Sequence, residues 1–138
     1  MNRKAKINRQ YKEANELFLA EKAKEEGITA LPSGVLYRWV KRGQGRELPK
    51  TSSIVFVRYT GRLIDGSVFD STDGQPLPAC FVVRDLIMGW QIALTRMRQG
   101  DIMEVFIPAE HGYGKHAVDG IPGYSTLIFE LELIKIER

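Results

Sequence analysis

Three side chains suited to organising a small ligand lie in one stretch, Val55–Asp70: the phenol of Tyr59, the ring of Phe69 and the carboxylate of Asp70. On a mostly apolar surface, one phenyl, one hydroxyl and one carboxylate suit a pocket that grips a hydrophobic group and orients it with one or two hydrogen bonds. More reactive chemistry finds little support. His111, His116 and Asp119 share a glycine-rich stretch but lack a regular metal-ligand spacing. Cys80 is the only cysteine, which excludes an internal disulfide and a cysteine-rich metal site. Its place between Ala79 and Phe81 predicts a buried, inert thiol. There is no glycine-rich phosphate loop, and no Ser-His-Asp order falls in a supporting strand or helix. The expectation is binding chemistry with no metal and no cofactor.

The elements that must position these residues follow from periodicity. Val55, Val57 and Tyr59 alternate with Phe56, Arg58 and Thr60, so Tyr59 shares a strand face with two valines. Asp65-Gly66 predicts a two-residue hairpin turn, which would deliver Phe69 and Asp70 on the returning arm. Val35–Lys41 and Cys80–Val83 read as short strands, with Asp85 a candidate cap for the helix after it. That helix is expected over Met88–Arg98, ended by Gly100, with Ile87, Trp90, Leu94 and Met97 facing inward. Ile102–Pro108 alternates again. A glycine-rich loop spans Glu110–Gly123, and Thr126–Ile136 closes the chain with Leu127, Phe129, Leu131 and Leu133 on one face. Strands without regular helical crossovers predict an α+β fold, an antiparallel sheet wrapped around one short central helix.

Residues 5–26 read as an N-terminal helical extension, with Ile7, Tyr11, Ala14 and Phe18 forming an apolar stripe widened by Leu17. Gly27 and Pro32 end it. The expected division is therefore 1–32, helix and linker, and 33–138, the sheet domain. The stripe must be covered either by this domain or by a second copy, giving a monomer or a helix-mediated homodimer.

A chain of 138 residues with 43% apolar and 27% charged residues fits an ordinary soluble globular protein. No run is long and apolar enough to span a bilayer. The basic cluster Arg3, Lys4, Lys6, Arg9 and Lys12 reads as a solvated helix face and not as a nucleic-acid interface. The N-terminal residues lack the apolar core of a signal peptide, so the sequence as written predicts a cytoplasmic protein, or one of the cell envelope if a leader has been removed.

Four ordered segments then add a family. Tyr59-Thr60-Gly61 with Asp65-Gly66 and Phe69-Asp70-Ser71, then Leu86–Trp90, then Pro108 with Tyr113-Gly114, then Ile121-Pro122 with Thr126–Phe129 resemble the FKBP-type peptidyl-prolyl cis-trans isomerases over residues 33–138. The helix and the linker 26–34 resemble the bacterial subgroup of macrophage-infectivity-potentiator type, whose members dimerise through such an extension. The resemblance implies an enzyme of protein folding that accelerates rotation about Xaa-Pro bonds in proline-containing polypeptides, and a pocket open to the family's macrolide inhibitors. Its catalytic residues would be Tyr59, Phe69, Asp70, Tyr113 and Phe129, and its substrate-binding residues Leu86, Ile87, Trp90 and Ile121. Taken singly, Phe69, Leu86, Ile87, Trp90 and Phe129 fit ordinary core positions; only their joint occurrence points to a pocket. Three departures stand out: Ala79 replaces a wall phenylalanine of eukaryotic members, Gly123 the second proline of the flap tip, and Met88 a common proline or arginine. The substitution at Gly123 predicts a more mobile flap.

Overall fold

The computed structural model describes residues 2–137. The alternating stretch around Tyr59 is strand β3 (Ile54–Arg62), with Val55 and Val57 fully buried on one face. It pairs along one edge with the last strand, β7 (Leu127–Ile136), and on its other edge with two short strands in succession, β5 (Ala79–Val82) and β4 (Val68–Ser71). β6 (Ile102–Ile107) pairs with β7, β2 (Leu36–Lys41) with β6, and a two-residue β1 (Thr29–Ala30) extends the sheet beyond β2. All these pairings are antiparallel, giving the order β1-β2-β6-β7-β3-β4 with β5 branching from β3. One face of the sheet curls over the short helix α2 (Met88–Leu94), whose Trp90, Ala93 and Leu94 are buried with Val55, Val57, Met103, Val105, Leu131 and Leu133. The α+β architecture expected from the pattern is the one observed.

Helix α1 (Arg3–Lys22) lies on the opposite face of the sheet. Asn2 caps it by accepting from Ala5 N at 2.8 Å. Phe106, on the strand face away from Met103 and Val105, is covered by Phe18 at 6.3 Å between ring centroids and by the Lys22 ammonium at 5.1 Å. The docked face is rotated from the expected stripe. Tyr11 and Phe18 do pack inward, but Ile7 and Leu17 remain 52% and 61% exposed and Ala14 is exposed, while polar Asn15 is only 2% exposed. The reason is polar: Asn15 Oδ1 accepts from the buried Thr126 N at 2.7 Å, a partner that hydropathy cannot register. The helix also ends at Lys22 instead of 26, because Lys24 N and Glu25 N turn back to the carbonyls of Glu21 and Lys22 in a tighter winding.

Other local expectations change as well. The hairpin turn at Asp65-Gly66 is a three-residue loop, Ile64-Asp65-Gly66, closed by Gly66 N to Leu63 O and Leu63 N to Ser67 O; only Gly66 has positive φ (+87°) and the register shifts at Gly61/Arg62. The two-residue turn with both φ values positive is at a later Asp-Gly pair, Asp119 (φ 45°) and Gly120 (φ 80°), closed by reciprocal bonds between Val118 and Ile121. Asp85 does not cap α2: it ends a 3₁₀ turn, Val83–Asp85, and the helix begins behind Ile87 without a side-chain cap. α2 stops at Leu94, and Met97, still buried, follows in a turn. Cys80 is exposed, since the four residues of β5 turn Ala79 and Phe81 toward the core and leave the thiol on the other face.

Candidate functional site

The open end of the concave face carries an aromatic cluster with Trp90 at its centre. Tyr59, Phe129 and Phe81 meet the indole edge-on, at 4.8, 5.1 and 5.8 Å between centroids and 82°, 88° and 87° between planes. Phe69 stands edge-on to Phe129 at 5.4 Å and 83°. These are the separations and tilts at which aromatic quadrupoles attract, so each ring holds its neighbour's orientation.

Each ring arrives on its own element. β3 presents Tyr59, whose backbone is locked from the loop after β4: Tyr59 N donates to Thr72 Oγ1 and Tyr59 O accepts from Thr72 N, both at 2.9 Å. β4 brings Phe69 and Asp70, β5 Phe81, α2 Trp90 and β7 Phe129. The register sets Gly61 directly between Asp70 on β4 and Phe129 on β7. Its missing side chain is what lets the rings close: a Cβ there would lie 2.6 Å from both Phe129 Cε1 and Phe69 Cζ.

One polar pair edges the cluster. The Tyr59 hydroxyl donates to Asp70 Oδ2 at 2.8 Å. Burial, then the bond to Asp70, push the Tyr59 phenol well above its ordinary value, so it stays a neutral donor. Burial, followed by the negative charges of Asp70 and Asp119, raises Tyr113 too. Tyr113 is 40% exposed at the rim, with no ring contact or hydrogen bond among the described residues, and its hydroxyl is available to a ligand. The indole Nε1 of Trp90 is buried and has no hydrogen-bond partner among the described residues.

Against this geometry, the model of the FKBP-type peptidyl-prolyl cis-trans isomerases matches residues 45–134, and that of the domain amino-terminal to such isomerases matches residues 1–38. The chain belongs to the FKBP-type family. It is 43% identical over 138 residues to the outer membrane protein MIP of Legionella longbeachae, covering 99% of this chain and 58% of that one. It is 44% identical over 120 residues to the FKBP-type 22 kDa peptidyl-prolyl cis-trans isomerase of Escherichia coli, covering 86% and 58%. The crystal structure of FkpA from Escherichia coli superposes with a TM-score of 0.90 at 35% identity, over 96% of this chain and 62% of that one. The chain thus spans about three-fifths of these relatives' lengths (58%, 58% and 62%).

Within this FKBP-type domain the residues singled out in the sequence come to one end of the sheet. Tyr59, Phe69, Trp90 and Phe129 are in ring contact, and Asp70 is tied to Tyr59. Leu86 and Ile87 are half-buried against the core that Trp90 and Phe129 share, and Ile121, at the flap turn, is buried in it. Tyr113 stands apart from the rings, within electrostatic reach of Asp70 and Tyr59. Phe81 belongs to the cluster and was not singled out; its phase two residues after Ala79 was the available signal. Ala79 is half-buried and packs against the core. At Gly123 the loop presses against the Lys115 carbonyl, which a Cβ would overlap, so glycine there permits a close approach between the two arms of the flap. Among the described residues no group of three or more His, Cys, Asp or Glu could hold a metal ion, and no helix is long and apolar enough to cross a membrane.

Proposed function

We propose that this chain accelerates cis-trans exchange about Xaa-Pro peptide bonds in polypeptides during folding, without covalent chemistry. The observation that carries this reading is the cluster of Tyr59, Phe69, Phe81 and Phe129 around the Trp90 indole, an aromatic seat for a prolyl ring beside two neutral phenols. Rotation is slow because the planar amide loses resonance on the way over, a barrier of roughly 18–20 kcal/mol. A site that binds the twisted amide better than either planar isomer lowers that barrier. Excluding water from the carbonyl disfavours the charge-separated planar form. Phe69, Trp90 and Phe129 hold the ring, Leu86, Ile87 and Ile121 flank it, and the Tyr113 hydroxyl donates to a substrate carbonyl and fixes its orientation. Asp70 orients Tyr59 and takes no proton. The isomerase unit is 33–138, with 1–32 as a docked helix and linker, and macrolide inhibitors of the family should occupy the same seat. That the Legionella longbeachae relative is an outer membrane protein favours the cell envelope over the cytoplasm.

The test is NMR exchange in Leu-Pro and Phe-Pro peptides at sub-stoichiometric protein. Acceleration that disappears in Phe129→Ala supports the proposal. Peptide shifts without acceleration would make the pocket a receptor for proline-containing segments instead.

A further inference from the structure

The segment between the flap turn and β7 is held from outside the isomerase pocket. Ser125 Oγ donates to Pro122 O at 2.7 Å, which uses its only proton, so at the 2.7 Å contact between Ser125 Oγ and Tyr11 the phenol of α1 is the donor. One turn on, Asn15 Oδ1 accepts from Thr126 N at 2.7 Å while Asn15 Nδ2 donates to Tyr11 O at 2.8 Å. Within the span that Ser125 closes onto Pro122, Tyr124 adopts a left-handed φ of 65°, uncommon for a bulky residue, with its N–H bonded to Gly114 O at 2.9 Å across the base of the flap. The helix has its own separate hold on the sheet, through Phe18 and Lys22 on Phe106. The helix therefore meets the domain at Phe106 as well as at Ser125 and Thr126, and only the second contact reaches the chain next to the flap turn.

We infer that Tyr11 and Asn15 are positioning residues of the isomerase pocket: through Ser125, Pro122 and Thr126 they fix the strained chain that sets Ile121 against the aromatic seat. This rests on the isomerase reading above. When the clamp is loosened, the flap samples positions that bind substrate poorly. Apparent affinity then falls by the fraction of molecules left competent, while the chemistry within competent molecules is unchanged.

The test compares Tyr11→Phe, Ser125→Ala and Asn15→Ala with Leu17→Ser, a control on the exposed side of the same helix. Two readouts are taken: KM and kcat for Leu-Pro peptide exchange, and hydrogen exchange of the Ile121 and Tyr124 amides. Loss of the Tyr11 bond is expected to raise KM about two- to fivefold with kcat nearly unchanged, and to speed exchange of both amides by a similar factor. Amides of β3 and β7 should keep their protection, and Leu17→Ser should behave as wild type. Should Asn15→Ala fail to fold, Tyr11→Phe and Ser125→Ala decide the matter, since neither opens a sizeable core cavity. Unchanged KM and unchanged amide exchange in Tyr11→Phe and Ser125→Ala would overturn the inference. A wild-type chain that accelerates nothing would overturn the isomerase reading and the catalytic consequence with it, and amide exchange would still report whether the clamp exists.

Discussion

Replacing Gly61 by alanine adds a single methyl group at the most crowded point of the pocket wall. The backbone there is ordinary strand, so the substitution meets no φ penalty and, by stiffening the unfolded chain, would by itself stabilise by roughly 0.4–1 kcal/mol. The cost is steric. The new carbon would sit 2.6 Å from Phe129 Cε1, 2.6 Å from Phe69 Cζ and 3.0 Å from Phe69 Cε1. Carbon atoms prefer about 3.5–4.0 Å, so the rings must retreat by about an ångström. Phe129 is 3% exposed and hemmed in by Trp90, whereas Phe69 is half-buried on β4. Phe69 is therefore the ring that moves.

Overpacking of this kind costs about 1–3 kcal/mol. Set against the unfolded-state gain, Gly61→Ala should destabilise by about 1–2 kcal/mol, a fall in Tm of roughly 3–8 °C for a chain this long. Because Phe69 leaves the seat, kcat/KM for Leu-Pro exchange should drop about tenfold. Shortening the displaced ring should relieve the clash, so Gly61→Ala ought to cost about 1 kcal/mol less in a Phe69→Leu background, measured by denaturant unfolding in a double-mutant cycle. Additivity within about 0.3 kcal/mol, or a Gly61→Ala chain with wild-type stability and turnover, would show that the rings do not close over bare backbone at Gly61.

The fold favours the neutral forms of Tyr59 and Tyr113, so the stability they contribute is intact below the ordinary tyrosine value near 10 and is lost only as pH climbs through their raised folded values. Ring-labelled NMR titration should place both midpoints above about 10, and a midpoint at or below that value would refute the burial argument. Asp101, fully buried, accepts from Gly43 N at 2.6 Å and Arg98 N at 2.9 Å; Asp101→Ala should cost about 2–4 kcal/mol in urea unfolding with KM unchanged, and a loss under about 1 kcal/mol would count against that role. Cys80 is exposed, so one equivalent of a thiol reagent should couple without denaturant. Protection until unfolding would place the thiol inside.

Where burial writes a regular alternation, the sequence was legible. The faces of β3 and β7, and the inward turn of Trp90 in α2, follow directly from which residues are apolar. The errors fall where the same local chemistry serves two geometries. Asp65-Gly66 and Asp119-Gly120 are the same dipeptide, yet one sits at the end of a three-residue loop and the other makes the two-residue turn, because the register of the flanking pairs differs. β5 is only four residues long, too short for its phase to be read from composition, so the outward Cys80 and the inward Phe81 beside Trp90 become visible only in the structure.

A second kind of omission has a different cause. Tyr59, Phe69, Trp90, Tyr113 and Phe129 announce themselves because what they contribute is carried by their own side chains. Asn15, Gly61 and Asp101 are significant for what they leave available to a distant backbone. Asn15 satisfies an N–H 111 residues away, Gly61 vacates the space that two rings occupy, and Asp101 collects the amide of Gly43 across 58 positions. A polar residue on a polar helix and a glycine in a strand carry no mark of such partners until the sheet brings them together. Helix α1 shows the same limit: it meets its own domain through Tyr11 and Asn15 on Ser125 and Thr126 and through Phe18 over Phe106, while Ile7 and Leu17 of the apolar stripe stay exposed.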